Sequence, residues 1–151
     1  MRKKLKAAYT LVEQLYTGAQ RIITRASHNN PAPSLIQDTL NRLSMLPARI
    51  EELKKSAART GAINALIRAK VWVPDFDPVE AAQGYPSLKE DGSEFNEDDL
   101  RVINRAVRPL ACQLAEEADL THYQAQYNDQ NKRVPAPTLE AENLIPPIHK
   151  H

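Results

Sequence analysis

The chain has 151 residues, of which 42% are apolar, 26% charged and 5% aromatic, with 4 glycines, 11 prolines and a formal net charge of +1. That is the length of one ordinary domain, and the composition excludes collagen-like, mucin-like and wholly disordered chains. No run approaches the roughly 18 apolar residues of a membrane span, and the basic start, Met1-Arg-Lys-Lys-Leu-Lys6, is followed by neither the apolar core nor the cleavage site of a signal peptide. The single cysteine, Cys112, cannot make an internal disulfide. The expectation is an intracellular protein, nuclear or cytoplasmic, without a membrane partner.

From about Lys3 to Ala26, apolar residues recur at alternating steps of three and four: Leu5, Ala8, Val12, Leu15, Ala19, Ile22 and Ala26. This is a heptad seam of three repeats, the pattern of a coiled-coil-like helix. Tyr9, Leu11, Tyr16 and Ile23 widen the stripe, as in a helix that packs on a bundle. A homodimer, a partner helix and an intramolecular bundle all satisfy it. Arg2, Lys3, Lys4 and Lys6 crowd the positive end of the helix dipole with no capping side chain before them, so Met1 is expected to cut into a longer helix, the rival being a basic arm.

Pro31 and Pro33 end the first helix. Ser34, with Gln37 three residues on, has the spacing of a capping box for a second helix that buries Leu35, Ile36, Leu40 and Leu43. Ser44 or Met45 restarts the chain into a long third helix from Pro47 to Val71. Its stripe of Ala57, Gly61, Ala65 and Ala69 predicts close approach of another helix. The only tryptophan, Trp72, is expected at the edge of the core. Asp77 and Pro78 should cap a short helix through Ala82 that stops at Gly84, and Tyr85 to Phe95 reads as a turn-rich loop. Asn96 caps a further helix through Ala118, with Leu100, Ile103, Val107, Leu110 and Leu114 on one face and a kink or break ahead of Pro109. The expected fold is all-α, a helical bundle of four to five main helices. Residues 1–30 form the heptad-patterned helix, 31–128 the bundle and 129–151 an extended or disordered proline-rich tail.

The small net charge conceals segregation. Residues 1–75 carry 13 Lys and Arg against 5 Asp and Glu, and residues 76–151 carry 7 against 14. Arg2, Lys3, Lys4, Lys6, Arg49, Lys54, Lys55 and Arg59 are candidate contacts for RNA or DNA phosphates. Aromatic residues for base stacking are sparse beside them.

Chemical motifs fail in turn. In the loop from Ser87 to Asp98, Gly92 takes the sixth place of a calcium-binding hand, but Ser87 and Lys89 hold the first and third and Asp98 is too short at the twelfth. His28, His122, His149 and His151 have no zinc-site spacing, and Cys112 among Leu110, Ala111 and Leu114 reads as a small buried apolar residue. Phosphate-cradling glycine loops are absent, and Glu51-Glu52 and Glu116-Glu117 diverge around their helices. The expectation is a protein that is not an enzyme, with no cofactor, no metal and no small-molecule substrate.

Four stretches carry a resemblance: Leu43-Ser-Met-Leu-Pro-Ala-Arg-Ile-Glu-Glu-Leu-Lys-Lys-Ser-Ala-Ala-Arg-Thr-Gly-Ala62, Ala69-Lys-Val-Trp-Val-Pro74, Gly84-Tyr-Pro-Ser-Leu-Lys-Glu-Asp-Gly-Ser93 and Leu144-Ile-Pro-Pro-Ile-His-Lys-His151. With them the chain resembles the C-terminal region of plant, especially grass, proteins described as gypsy-type transposon- or retrotransposon-derived. The resemblance implies a coiled coil preceding this region, a chain continuing past the Pro-Pro tail and no catalytic residue to place here. The functional expectation is a non-enzymatic module for self-association or partner-helix binding, using Leu5, Val12, Leu15, Ala19 and Ile22 with Ala57, Gly61, Ala65 and Ala69. The alternative is a nucleic-acid-binding module related to a retroelement structural protein.

Overall fold

The structure, a computed structural model, describes residues 2–27 and 30–141. His28, His149, His151, Pro146, Pro147, the last resembling stretch and the side chain of Arg2 lie outside the described residues. Among the described residues the chain is all-α: α1 (Arg2–Ala26), α2 (Ile36–Ser44), α3 (Leu46–Trp72), α4 (Pro78–Gln83) and α5 (Glu97–Glu116). Two isolated antiparallel bridges, Leu88 with Glu94 and Tyr127 with Arg133, are the extended pairings among them.

The chain divides into two compact units, residues 1–56 with 125–151, and residues 57–124. The division falls elsewhere than the boundaries at 30 and 128 expected from the sequence. Its physical basis is that the segment after Gln124 returns to the first unit, where Ala125 is buried.

In the first unit, α2 packs on the C-terminal half of α1. Ile23, at 1% exposure, and Ala26 are buried, with Tyr16, Ala19, Leu40 and Leu43 half-buried around them. Polar bonds hold the proline linker to the helices. The Tyr16 hydroxyl donates to the Ser34 carbonyl (3.1 Å), Gln20 Nε2 to the Pro33 carbonyl (3.2 Å) and Arg42 Nη1 to the Pro31 carbonyl (2.9 Å). Arg49 Nε donates to the Ala26 carbonyl (2.9 Å), satisfying one of the acceptors that a helix end leaves open.

The start of α2 differs from expectation. Ser34 does not cap it; Leu35 occupies the cap position with no side-chain cap bond, because the first turn is tied instead by Thr39, whose amide and hydroxyl both donate to the Leu35 carbonyl at 3.1 and 3.0 Å. Thr39 is therefore the buried residue of that turn, and Leu35 and Ile36, expected inside, are exposed.

The second unit contains the rest of α3, α4 and α5. Asp77 Oδ1 accepts from the Val79 amide (2.8 Å) with Pro78 in the first turn, so α4 starts as expected. Asn96 and Asp99 form a reciprocal capping box at the start of α5. Pro109 lies within α5 and does not break it in two. Trp72 is 84% exposed rather than at a core edge, since α3 ends there and Val73 opens the loop.

The two bridges close turns of one kind. Lys89 and Ser93 exchange a backbone bond (2.7 Å) around Gly92 at φ 81°, and Asn128 and Lys132 do so (3.0 Å) around Asn131 at φ 56°. The left-handed residue is what a three-residue hairpin loop requires, supplied once by glycine and once by asparagine.

Candidate interaction surface

On α1 every described side chain from Lys3 to Leu15 is exposed, including Leu5, Tyr9, Leu11 and Val12. Val12 is 64% and Leu15 74% exposed. Of the predicted seam, Leu5, Ala8, Val12, Leu15 and Ile22 are exposed, Ala19 is half-buried and Ala26 is buried. The face that packs within the chain runs through Tyr16, Gln20 and Ile23, one residue out of register with the seam, and meets the seam at Ala26. An apolar groove of about 530 Å³ opens along this junction, lined among others by Val12, Leu15, Ala19, Ile36, Leu40 and Leu43. Among the described residues the seam is uncovered from Leu5 to Leu15 and continuous with a groove in its own unit.

The basic candidates are not brought together as one surface. Lys3, Lys4, Lys6 and Lys55 are exposed. Arg49 is committed to the Ala26 carbonyl, Lys54 pairs with Glu51 (2.6 Å) and, in the second unit, Arg59 Nη1 donates to the Gln124 carbonyl (3.0 Å). The neighbouring ammonium, hydrogen-bonded to the Glu51 carboxylate, lowers that carboxyl's pKa from its ordinary value.

Among the described residues the small-residue stripe of α3 is only partly covered. Ala57 and Ala69 are half-buried, whereas Gly61 and Ala65 are exposed and a Cβ at Gly61 would meet nothing within 4 Å. An exposed ion pair, Arg68 with Glu117, links the end of α5 to α3, and such a pair does not draw two backbones together.

That leaves the apolar side of α5 uncovered as well, with Ile103, Val107 and Leu110 exposed and Leu100 and Leu114 half-buried. Its three-four rhythm was plain in the sequence. Its exposure was not, because rhythm identifies a face and says nothing about what covers it.

Titratable groups fall into small local sets. The loop tested as a calcium hand is the tight turn at Gly92: Asp91 Oδ1 accepts from the Ser93 amide (2.9 Å) and hydroxyl (2.6 Å), which lower its pKa. Lys89 pairs with Asp99 (2.7 Å) and lies 6.0 Å from the centre of the Phe95 ring, and its hydrogen bond lowers the pKa of Asp99. Asp119 accepts from the Thr121 hydroxyl (2.5 Å) and amide (2.8 Å) and meets His122 Nδ1 (3.1 Å), which bring its pKa down to about 2. No group of three or more His, Cys, Asp and Glu among the described residues is placed to hold a metal ion. Cys112 is exposed rather than buried, as are all of residues 101–113 of α5.

No helix of the described residues is long and apolar enough to cross a membrane. No protein-family model matches the chain, and neither a curated protein nor a solved structure matches it.

Proposed function

We propose that this chain is a non-enzymatic interaction module that self-associates or binds a partner helix through the heptad seam of α1. One observation carries the reading: α1 stays helical from Lys3 to Leu15 with every side chain exposed, Leu5, Val12 and Leu15 among them. A helix of that length alone in water is marginal, and proteins stabilise helices mainly by covering an apolar face. Partner contact supplies the missing cover. The reading includes an intracellular setting, nuclear or cytoplasmic, and the gypsy-type ancestry implied by the resemblance to grass proteins; that ancestry assigns no residue a catalytic role.

The nucleic-acid alternative draws on Lys3, Lys4, Lys6 and Lys55, and is weakened by the commitment of Arg49, Lys54 and Arg59 to protein groups. Light scattering on the eluting protein separates the two. A mass above the 17.0 kDa monomer that falls to the monomer in Val12→Lys/Leu15→Lys is the expected result. A monomer under all conditions, together with salt-sensitive binding of labelled RNA or DNA oligonucleotides, replaces this reading with the alternative.

A further inference from the structure

We infer that the apolar groove between α1 and α2 is a docking site for a segment of this chain itself, Leu144-Ile-Pro-Pro-Ile148, which lies beyond the described residues. The docking does not depend on the self-association reading; its effect on association does. The first support is where the described chain ends. After Gln124 the chain returns to the first unit, and Leu139 is half-buried in a recess lined by Ala26, Met45, Leu46 and Arg49, at the C-terminal ends of α1 and α2. The groove lies farther back along the same two helices, from Leu43 on α2 and Ala19 on α1 to Val12. Ala19 and Val12 precede Ala26 by 7 and 14 residues, about 10 and about 21 Å of helix at 1.5 Å per residue. Leu144 and Ile148 follow Leu139 by 5 and 9 residues, which extend to about 16 and about 30 Å at about 3.3 Å per residue. The segment can therefore span the groove from the point where the chain leaves the recess.

Its chemistry matches the lining. The groove of about 530 Å³ has the size of a site that takes the apolar surface of a few side chains. Residues 142–151 contain one apolar run, Leu144 to Ile148, with Glu142 and Asn143 before it and His149 and Lys150 after it. Pro146 and Pro147 favour an extended backbone and bring no amide that would be buried unpaired, which lowers the cost of laying a chain along an apolar groove. Formal charges fall in matching order. Arg42 and Arg49 line the recess, and Glu140 and Glu142 directly follow the residue seated there; Glu13 is the charged residue of the groove lining, and Lys150 follows Ile148 by two. Tethering then selects this occupant over a free partner. A short linker holds a segment at an effective concentration on the order of millimolar, so a contact of only millimolar affinity fills half the grooves, whereas a free partner at micromolar concentration needs roughly a thousandfold higher affinity. Once seated, the segment covers Val12 and Leu15, two seam residues that a partner helix also uses, and so restrains self-association.

Paramagnetic broadening from a nitroxide on H149C, in a chain that also carries C112S, tests the docking. Amide signals of Val12, Leu15, Ala19 and Leu40 should lose most of their intensity. They should regain it when I145D/I148D is added, and when I36K fills the groove from α2, where Ile36 is 66% exposed and its replacement leaves the buried residues in place. Circular dichroism confirms that each variant keeps its helices. In a mixture of nitroxide-bearing chain without isotope and isotopically labelled C112S chain without nitroxide, the same amides should keep their intensity. Full intensity in the H149C chain, broadening that survives I145D/I148D, or equal broadening in the mixture overturns docking within the chain, the last because it places the segment in the groove of a second copy. In sedimentation velocity, I145D/I148D should associate about tenfold more tightly than the unaltered chain, the factor by which a competitor seated about nine-tenths of the time lowers an apparent affinity. Unchanged association overturns the restraint. A mass of 17.0 kDa in both chains at every concentration overturns self-association and, with the broadening present, leaves the docking standing.

Discussion

The two halves of α1 have the same heptad rhythm and opposite environments. From Tyr16 to Ala26 the helix is stitched to the linker and to α2 by the Tyr16 and Gln20 bonds and by burial of Ile23 and Ala26. From Lys3 to Leu15 every side chain is exposed among the described residues. Sequence periodicity therefore marks where a helix can be covered, and the chain's own packing determines where it is.

The largest expected effect comes from erasing the packed half. Ile23→Ala removes a nearly fully buried side chain and should lower unfolding stability by about 2 to 4 kcal/mol in a denaturant titration, whereas Val12→Ala, measured where the protein is monomeric, should change it by less than about 0.5 kcal/mol. Equal effects at the two positions would remove the contrast. Next in size is the buried hydroxyl of the same unit. Thr39→Val leaves the Leu35 carbonyl without its side-chain donor and should cost about 1 kcal/mol.

The same reasoning extends to the second unit through α3. Gly61→Ala should stabilise the helix by about 0.5 to 1 kcal/mol, since nothing occupies the space a Cβ would fill; destabilisation would show that another element does approach the stripe. At the two hairpin turns, Gly92→Ala at φ 81° should cost about 1 kcal/mol and Asn131→Gly at φ 56° should gain a few tenths, roughly, both by thermal melting.

The smallest effect is electrostatic. Asp119 titrates at about 2 in the folded protein, below its ordinary value of 3.8, because Thr121 and His122 favour the carboxylate. A depressed folded pKa adds stability that is present above pH 3.8 and is lost as pH falls toward 2, the sign expected when protons bind the unfolded chain more readily. Carboxyl NMR should place the midpoint near 2, and Thr121→Val should move it back toward 3.8.

Much of the fold was legible because capping and periodicity are local. Asp77 with Pro78, Asn96 with its acidic first turn, and the rhythms of α1 and α5 all depend on residues within two turns of one another. What failed depended on distant partners. Ser34 has a capping sequence, yet its carbonyl is held by Tyr16 from 18 residues away, and the cap position passes to Leu35. Gly61 and Ala65 have the composition of a close crossing and are exposed among the described residues, and Cys112 and Trp72 look apolar on paper and are exposed. For the interaction surface, the seam residues were readable and the groove was not, because Ile36, Leu40 and Leu43 join Val12 and Leu15 only once the linker folds back.

Amide hydrogen exchange along α1, followed as protein concentration is raised, tests the central claim most directly. If the first half of α1 is completed by a partner, protection over residues 3–15 should rise with concentration while that over residues 16–26 stays constant, since the latter are held by bonds within the chain. Protection over residues 3–15 that is the same at the lowest and highest concentrations would contradict it.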